Sequence, residues 1–156
     1  MDPRIVQIAE AVRDEVHEFE QEEQRPGYGS FAHENLAGYC AIASYLLVSV
    51  ADKLGYNLDL VVGRTKMNLK STSSNHAWTE HEDEIVDLTA TQFWTSVKRV
   101  HVTKCSNRYY RIIAKNESAH DELKNRWSTQ SPYTYMTDLD DRAHKLAQQL
   151  TPVQAA

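Results

Sequence analysis

Apolar residues recur at helical spacing near both ends of the chain. The first such stretch begins at Asp2-Pro3, which suits a cap and a first turn, and predicts a helix to about residue 23. A second stretch begins at Cys40, is apolar along its length and is expected to end at Gly55. A third is expected to start at Thr137 and to stop before Pro152.

Between these helices, apolar and polar residues alternate as they do in β-strands. The alternation predicts strands at residues 57–64, 73–81, 84–88, 97–104 and 109–114. The second and third strands form a hairpin around Glu82-Asp83, the last two are linked by a turn at 105–107, and a short helix follows Asn116.

The order of these elements predicts an α+β fold. N-terminal helices pack on a small antiparallel sheet, and further helices follow at the C-terminal end. With no repeat and no long linker, residues 1–156 are expected to form a single domain, with a core at about 30–115 and a helical extension at 116–156.

Composition narrows the range of partners. A net charge of −5 argues against a nucleic-acid-binding protein, and the basic residues around 98–111 are more typical of a solvated strand edge than of a binding patch. No apolar run is long enough to span a membrane, and the first residues do not resemble a secretory leader. We therefore expect a cytoplasmic protein in which Cys40 and Cys105 are free thiols, although export without a cleaved signal stays an open alternative.

Cys40 and Asp87 occupy positions that favour chemistry. A thiol on the first turn of a helix lies beside unpaired backbone N–H groups, which stabilise its thiolate, although a small cysteine buried in a core is the commoner case. Asp87 lies in an apolar strand, where an unpaired carboxylate is costly and predicts a built-in partner. His76 is the candidate across the hairpin, about one residue from exact mirror pairing.

These three residues suit nucleophilic catalysis. A histidine can deprotonate a thiol for attack on an acyl carbon, while a carboxylate orients the imidazole. Backbone N–H groups at residues 38–40 are candidates for stabilising the oxyanion. The expected orientation of the imidazole ring places Nδ1 of His76 near Asp87 and Nε2 toward the Cys40 sulfur.

Three short motifs resemble those of a known family. They are Gly38-Tyr39-Cys40 at a helix start, His76-Ala77-Trp78 with Glu80 on a strand, and Asp87-Leu88-Thr89 followed by Gln92-Phe93. Together they resemble the transglutaminase-like group of the papain-like cysteine fold, over residues 38 to about 93. The resemblance implies a papain-like fold, with Cys40 as nucleophile, His76 as base and Asp87 as orienting residue.

The chain also departs from that family. Tyr39 and Ala41 flank the cysteine where members often carry a tryptophan, and only Asn35 offers an amide where related proteases place an upstream glutamine. The remaining site candidates are therefore Asn35, Tyr39 and Trp78, for the oxyanion or the substrate. Members include peptidases, deamidases and cross-linking acyltransferases. The resemblance thus implies a protein or peptide substrate and no cofactor, and leaves open transfer to water or to an amine.

Two other interpretations compete with this one. A zinc site could recruit His76, His81, His101 and Cys105, but His76 and His81 should point to opposite faces of their strand. Alternatively, the chain is a non-catalytic interaction module of the same fold. Inactive relatives usually lose the cysteine or the histidine, whereas all three positions are filled in this chain.

Overall fold

The computed structural model describes residues 1–23, 39–66, 74–94, 96–119, 121 and 135–151. The helices are α1 (Pro3–Glu23), α2 (Cys40–Lys53) and α3 (Tyr135–Leu150), with a 3-10 helix at Ala90–Gln92. The strands are β1 (Asp59–Thr65), β2 (Ser74–His81), β3 (Glu84–Asp87), β4 (His101–Lys104) and β5 (Tyr110–Lys115). The predicted α+β class is confirmed.

Most element boundaries agree with the sequence to within two residues. α2 begins at Cys40, as predicted, and is followed by Gly55, whose φ of +83° is one that residues other than glycine rarely adopt. β4 is three to four residues shorter than expected, because the chain bends at residues 96–100 before it pairs with β3. Residues 117–119 and 121 are helical, as expected after Asn116, and the other residues of that predicted helix lie outside the described ones.

The five strands form one antiparallel sheet in the order β4-β3-β2-β1-β5. The three helices cover one face, where the cluster from α1, α2 and α3 reaches Val86 and Leu88, and a second cluster contains Leu60, Val62 and Ala77. No helix in the described ranges combines the length and apolar character that crossing a bilayer requires.

The opposite face of the sheet carries an aromatic cluster. Its buried members are Val61, Trp78, Ile85 and Tyr110. β4 and β5 lie at opposite edges of the sheet, although only residues 105–109 separate them. This short link packs Cys105 and Tyr109 against the aromatic cluster, so it crosses the face that the helices leave open.

Gly63 is needed where β1 approaches β5. The pairing of these strands shifts register between Val62 and Gly63. A Cβ atom at Gly63 would lie 2.2 Å from the carbonyl oxygen of Arg111 and 2.4 Å from Cη2 of Trp78. Only glycine therefore allows the Trp78 ring to lie over β1 at this point.

Candidate functional site

Cys40 is the first residue of α2, and its thiol lies at the N-terminal end of the helix dipole. The side chain is partly buried and packs against the cluster that contains Leu60, Val62 and Ala77. The thiol hydrogen-bonds to the side chain of His76 and to the backbone of Ala77. Both cysteines of the chain are free thiols, as expected.

The end of the β2–β3 pairing explains how Cys40 reaches His76. By strand alternation His76 lies on the face of Trp78, opposite α2, because it pairs with Gly63 and Trp78 pairs with Val61. The β2–β3 ladder stops at Thr79 and Val86, so β3 does not lie beside His76 and Ala77. The thiol can therefore reach the imidazole from the helix side of the sheet, past the uncovered edge of β2.

Asp87 is the predicted partner of His76. Nε2 of His76 lies 2.6 Å from Oδ2 of Asp87, and both side chains are fully buried. The hydroxyl of Tyr110 donates to the same carboxylate oxygen at 2.8 Å. Oδ1 accepts the backbone N–H of Thr89 at 2.9 Å and the Thr89 hydroxyl at 3.3 Å. Four donors thus compensate the buried carboxylate for its lost hydration.

The ring atoms are the reverse of those we expected. The structure places Nε2, not Nδ1, at Asp87, which leaves Nδ1 for the sulfur of Cys40. The reason lies in the backbone. Asp87 is at the end of β3 and its carboxylate also closes the turn to Thr89, so it meets the far end of the imidazole.

The pKa shifts of the three groups favour a charged pair. Burial disfavours the imidazolium, but the charge and hydrogen bond of Asp87 outweigh burial and raise the pKa of His76 to about 10. Burial alone would raise the pKa of the Cys40 thiol, yet the hydrogen bond and charge of His76 lower it. Burial opposes ionisation of Asp87 as well, and His76 lowers the pKa of that carboxyl. All three shifts are in the direction that favours thiolate, imidazolium and carboxylate.

The other three predicted site residues are Asn35, Tyr39 and Trp78, and the structure gives a position for two of them. Asn35 lies outside the described residues. The Tyr39 side chain is buried against Phe19, with ring centroids 6.3 Å apart, so its ring is part of the core. Trp78 is completely buried, and its ring stacks on His76 at a centroid distance of 6.0 Å. The strand position of Trp78 directs its ring into the aromatic cluster beneath His76, where it supports the imidazole and presents no exposed surface to a substrate.

Several residues at the site were not predicted from the sequence. The side-chain nitrogen of Gln92 lies 3.4 Å from Nδ1 of His76, and the Phe93 ring meets the imidazole edge-to-face at 4.8 Å. Arg13 of α1 donates to the carbonyl oxygen of Leu88 and, at 3.3 Å, to Oγ1 of Thr91. The motif Gln92-Phe93 was the sequence signal for the first two; no local pattern marked Arg13 or Tyr110.

The histidines that a zinc site would need do not lie together in the structure. Nδ1 of His81 donates to the carbonyl oxygen of Asn57 at 3.0 Å, on the opposite side of β2 from His76. His101 contacts Trp94, with ring centroids 6.0 Å apart. Within the described part of the chain, no three His, Cys, Asp or Glu side chains lie close enough together to hold a metal ion.

No protein-family model matches this sequence, and neither a curated protein nor a solved structure matches it. The resemblance to the transglutaminase-like group therefore rests on its three motifs alone.

Proposed function

We propose that this protein is a cysteine-dependent acyl-transfer enzyme that acts on an amide, with a papain-like arrangement of the transglutaminase-like type. One observation carries the proposal. A partly buried cysteine at a helix N-terminus lies beside a buried imidazole, whose Nε2 is held by a fully hydrogen-bonded carboxylate. The buried aspartate, with its three other donors, holds the histidine beside Cys40, the only one of these three residues that is not fully buried.

In the first half-reaction, the Cys40 thiolate attacks the amide carbon and a carbon–sulfur bond forms. The carbonyl oxygen becomes an oxyanion at the N-terminus of α2, where backbone N–H groups and the helix dipole favour negative charge. Tyr39 makes no side-chain cap hydrogen bond and so does not itself occupy these donors. The intermediate then collapses, the carbon–nitrogen bond breaks, and the leaving amine takes the proton from Nδ1 of His76.

In the second half-reaction, the neutral His76 takes a proton from water or from an amine at Nδ1. The activated oxygen or nitrogen attacks the thioester carbon, the carbon–sulfur bond breaks and the thiolate returns beside the imidazolium. Asp87 stays ionised throughout and holds the ring through Nε2. The substrate we propose is a protein or peptide amide.

Trapping the acyl-enzyme tests this proposal. The purified protein is incubated with p-nitrophenyl acetate and with glutamine-containing peptides, quenched in acid and mapped by mass spectrometry. We expect a thioester on Cys40 and little on Cys105, whose thiol pKa is raised by burial and by the negative charge of Glu80. Equal acylation of both cysteines would contradict the proposal.

Four single substitutions test the roles that we assign to the residues of the site. Cys40→Ala and His76→Ala should each abolish nearly all turnover, since the residues act as a unit. Asp87→Ala should leave more residual activity, because the imidazole remains. His81→Ala is the matched control on the same strand and should keep turnover close to that of the parent protein. A Cys40→Ala variant that keeps full turnover would contradict the role of Cys40, and a parent protein without any turnover would favour the non-catalytic interaction module.

A further inference from the structure

We propose that Gln92 is a positioning residue for the second half-reaction, in which its carboxamide holds the neutral His76 ring with a free lone pair at Nδ1. This inference rests on the proposed acyl-transfer function. Gln92 closes the 3-10 helix that follows Asp87, and its side-chain nitrogen is 3.4 Å from Nδ1 of His76 and 3.1 Å from Oγ1 of Thr89.

The hydrogen-bond network sets the orientation of the carboxamide. The Thr89 hydroxyl donates to Oδ1 of Asp87, so its oxygen is left to accept a hydrogen bond. Gln92 supplies that bond through its NH₂ group, and the same nitrogen faces Nδ1 of His76. A chain of donors therefore runs from Gln92 through Thr89 to the carboxylate that binds the opposite nitrogen of the ring.

Contacts on both sides of Gln92 hold the segment that carries it next to the His76 ring. Arg13 is buried and binds the carbonyl oxygen of Leu88 and the hydroxyl of Thr91, on either side of Thr89. The Phe93 ring packs edge-to-face against the imidazole immediately after Gln92. Arg13 thus holds the backbone before Gln92, and Thr89 binds its side chain. These contacts direct the carboxamide of Gln92 toward Nδ1 of His76.

An N–H donor at Nδ1 stabilises the imidazole and not the imidazolium. In the resting site Nδ1 carries a proton that is shared with the Cys40 thiolate, and the amide has nothing to donate to. Once Cys40 is acylated, the thiolate charge is gone and the leaving amine has taken that proton. Gln92 then donates to the bare Nδ1 and holds the ring until water gives up a proton there. The new carbon–oxygen bond forms, the carbon–sulfur bond breaks and the thiolate is restored.

A titration tests the contact without any turnover. Methyl methanethiosulfonate caps the thiols as methyl disulfides, which cannot donate a hydrogen bond and so imitate the loss of the thiolate. NMR of the His76 ring then compares the capped parent protein with Gln92→Met and Gln92→Glu, two variants of similar length. The other titratable groups around the ring are Asp87 and Tyr110, with Arg13 and His101 beside Asp87, and they are unchanged in both variants.

We expect the pKa of His76 to rise by roughly half to one unit in Gln92→Met, because one hydrogen bond to the neutral ring is lost. In Gln92→Glu it should rise further, because a carboxylate accepts from the imidazolium. An unchanged pKa in Gln92→Met overturns the inference.

Kinetics with p-nitrophenyl acetate test the consequence. The burst of p-nitrophenol reports acylation and the steady state reports deacylation. Gln92→Met should keep the burst rate within about twofold of the parent and lower the steady-state rate by about three- to tenfold, since only deacylation needs the neutral ring, whose population falls by that factor. Equal losses in both phases, or an unchanged steady state, overturn the inference. A parent protein without a Cys40-dependent burst overturns the proposed function itself, and with it any role of Gln92 in deacylation, even where the titration confirms the contact.

Discussion

At the scale of single residues, the two cysteines differ because of what surrounds each thiol. Cys40 has an imidazole and a backbone donor beside it, and its pKa is lowered. Cys105 lies on the link that crosses the aromatic face, where burial and the negative charge of Glu80 raise its pKa. The chain thus holds one thiol whose pKa is lowered and one whose pKa is raised, and Cys105 can serve as the reference for Cys40 in the same sample.

Alkylation should separate the two thiols. At about pH 6 to 7, iodoacetamide should modify Cys40 much faster than Cys105, because the pKa of the Cys40 thiol is lowered and that of the Cys105 thiol is raised, so that Cys40 has the larger thiolate fraction. Peptide mapping of a time course measures both rates in one sample. His76→Ala should bring the Cys40 rate down toward that of Cys105, and faster modification of Cys105 in the parent would contradict the ion pair.

The His76–Asp87 pair should shape the pH dependence of stability. Asp87 has a lowered folded pKa, so its contribution is present above the unfolded value of about 3.9 and is lost as pH falls through the folded value. His76 has a folded pKa raised to about 10, so its contribution is complete below about 6.5 and is lost as pH rises toward 10.

Urea unfolding at about pH 2.5, 5.5 and 9.5 should therefore show a maximum at the middle pH, because both contributions are complete only between about pH 4 and 6.5. Asp87→Asn should cost about 3–5 kcal/mol at pH 7, because the buried imidazolium loses its counter-charge, and should flatten both sides of the profile. Asp83→Asn, which removes an exposed carboxylate paired with Lys104, is the control and should leave the profile close to that of the parent. An equally steep profile in Asp87→Asn would contradict the assignment.

At the scale of elements, α1 contributes to the site through one buried cation. Arg13 lies in the middle of that helix and reaches the segment 88–91, which carries Thr89 and leads to Gln92. Burial lowers the pKa of its guanidinium, and the charge of Asp87 partly offsets that effect. The segment that shapes the His76 environment is thus fixed to a helix far away in the sequence.

Arg13→Ala should lower the free energy of unfolding by about 2–3 kcal/mol, because it leaves a buried carbonyl oxygen without its donor. It should also slow alkylation of Cys40, because the segment beside His76 loses its anchor. Arg99→Ala is the matched control, since Arg99 and its partner Asp14 are largely exposed, and it should change stability by less than about 0.5 kcal/mol. Similar losses in the two variants would argue against an anchoring role.

At the scale of the whole molecule, α3 is part of the same core as α1 and α2. Leu139 and Ala143 of α3 are buried in the cluster shared by the three helices, and the Tyr45 hydroxyl of α2 donates to Asp140 at 2.8 Å. Arg142 binds Glu15 at 2.7 Å and lies over the Phe19 ring, which in turn packs on Tyr39. The C-terminal helix therefore supports the residue that precedes the thiol.

Leu139→Ala tests whether the chain unfolds as one unit. It should lower the free energy of unfolding by about 2–5 kcal/mol while leaving a single transition, because the lost contacts belong to the common core. Circular dichroism and tryptophan fluorescence should give the same midpoint. Lys145→Ala on the exposed side of α3 is the control. Two separate transitions would show that the helical extension is a separate unit.

The sequence by itself determined those features that depend on local periodicity and on caps. Asp2-Pro3 and the helical spacing of apolar residues placed α1, and the apolar run after residue 39 put Cys40 on the first turn of α2. Alternation around Glu82-Asp83 defined the β2–β3 hairpin, and Asp87 between two apolar residues indicated that a partner must be built in. These signals lie within one element or between adjacent ones.

Only the tertiary structure decided which atoms and which distant residues complete the site. The end of β3 and its turn put Nε2 of His76 at Asp87, the reverse of the expected orientation. The hydroxyl on Asp87 comes from Tyr110 on β5, and the anchor of the turn comes from Arg13 on α1. Strand order and helix packing bring these groups together through burial of apolar surface. The hydrophobic effect depends on the apolar area that is buried and not on the separation of residues along the sequence. No local pattern in the sequence therefore indicates which distant residues will meet at the site.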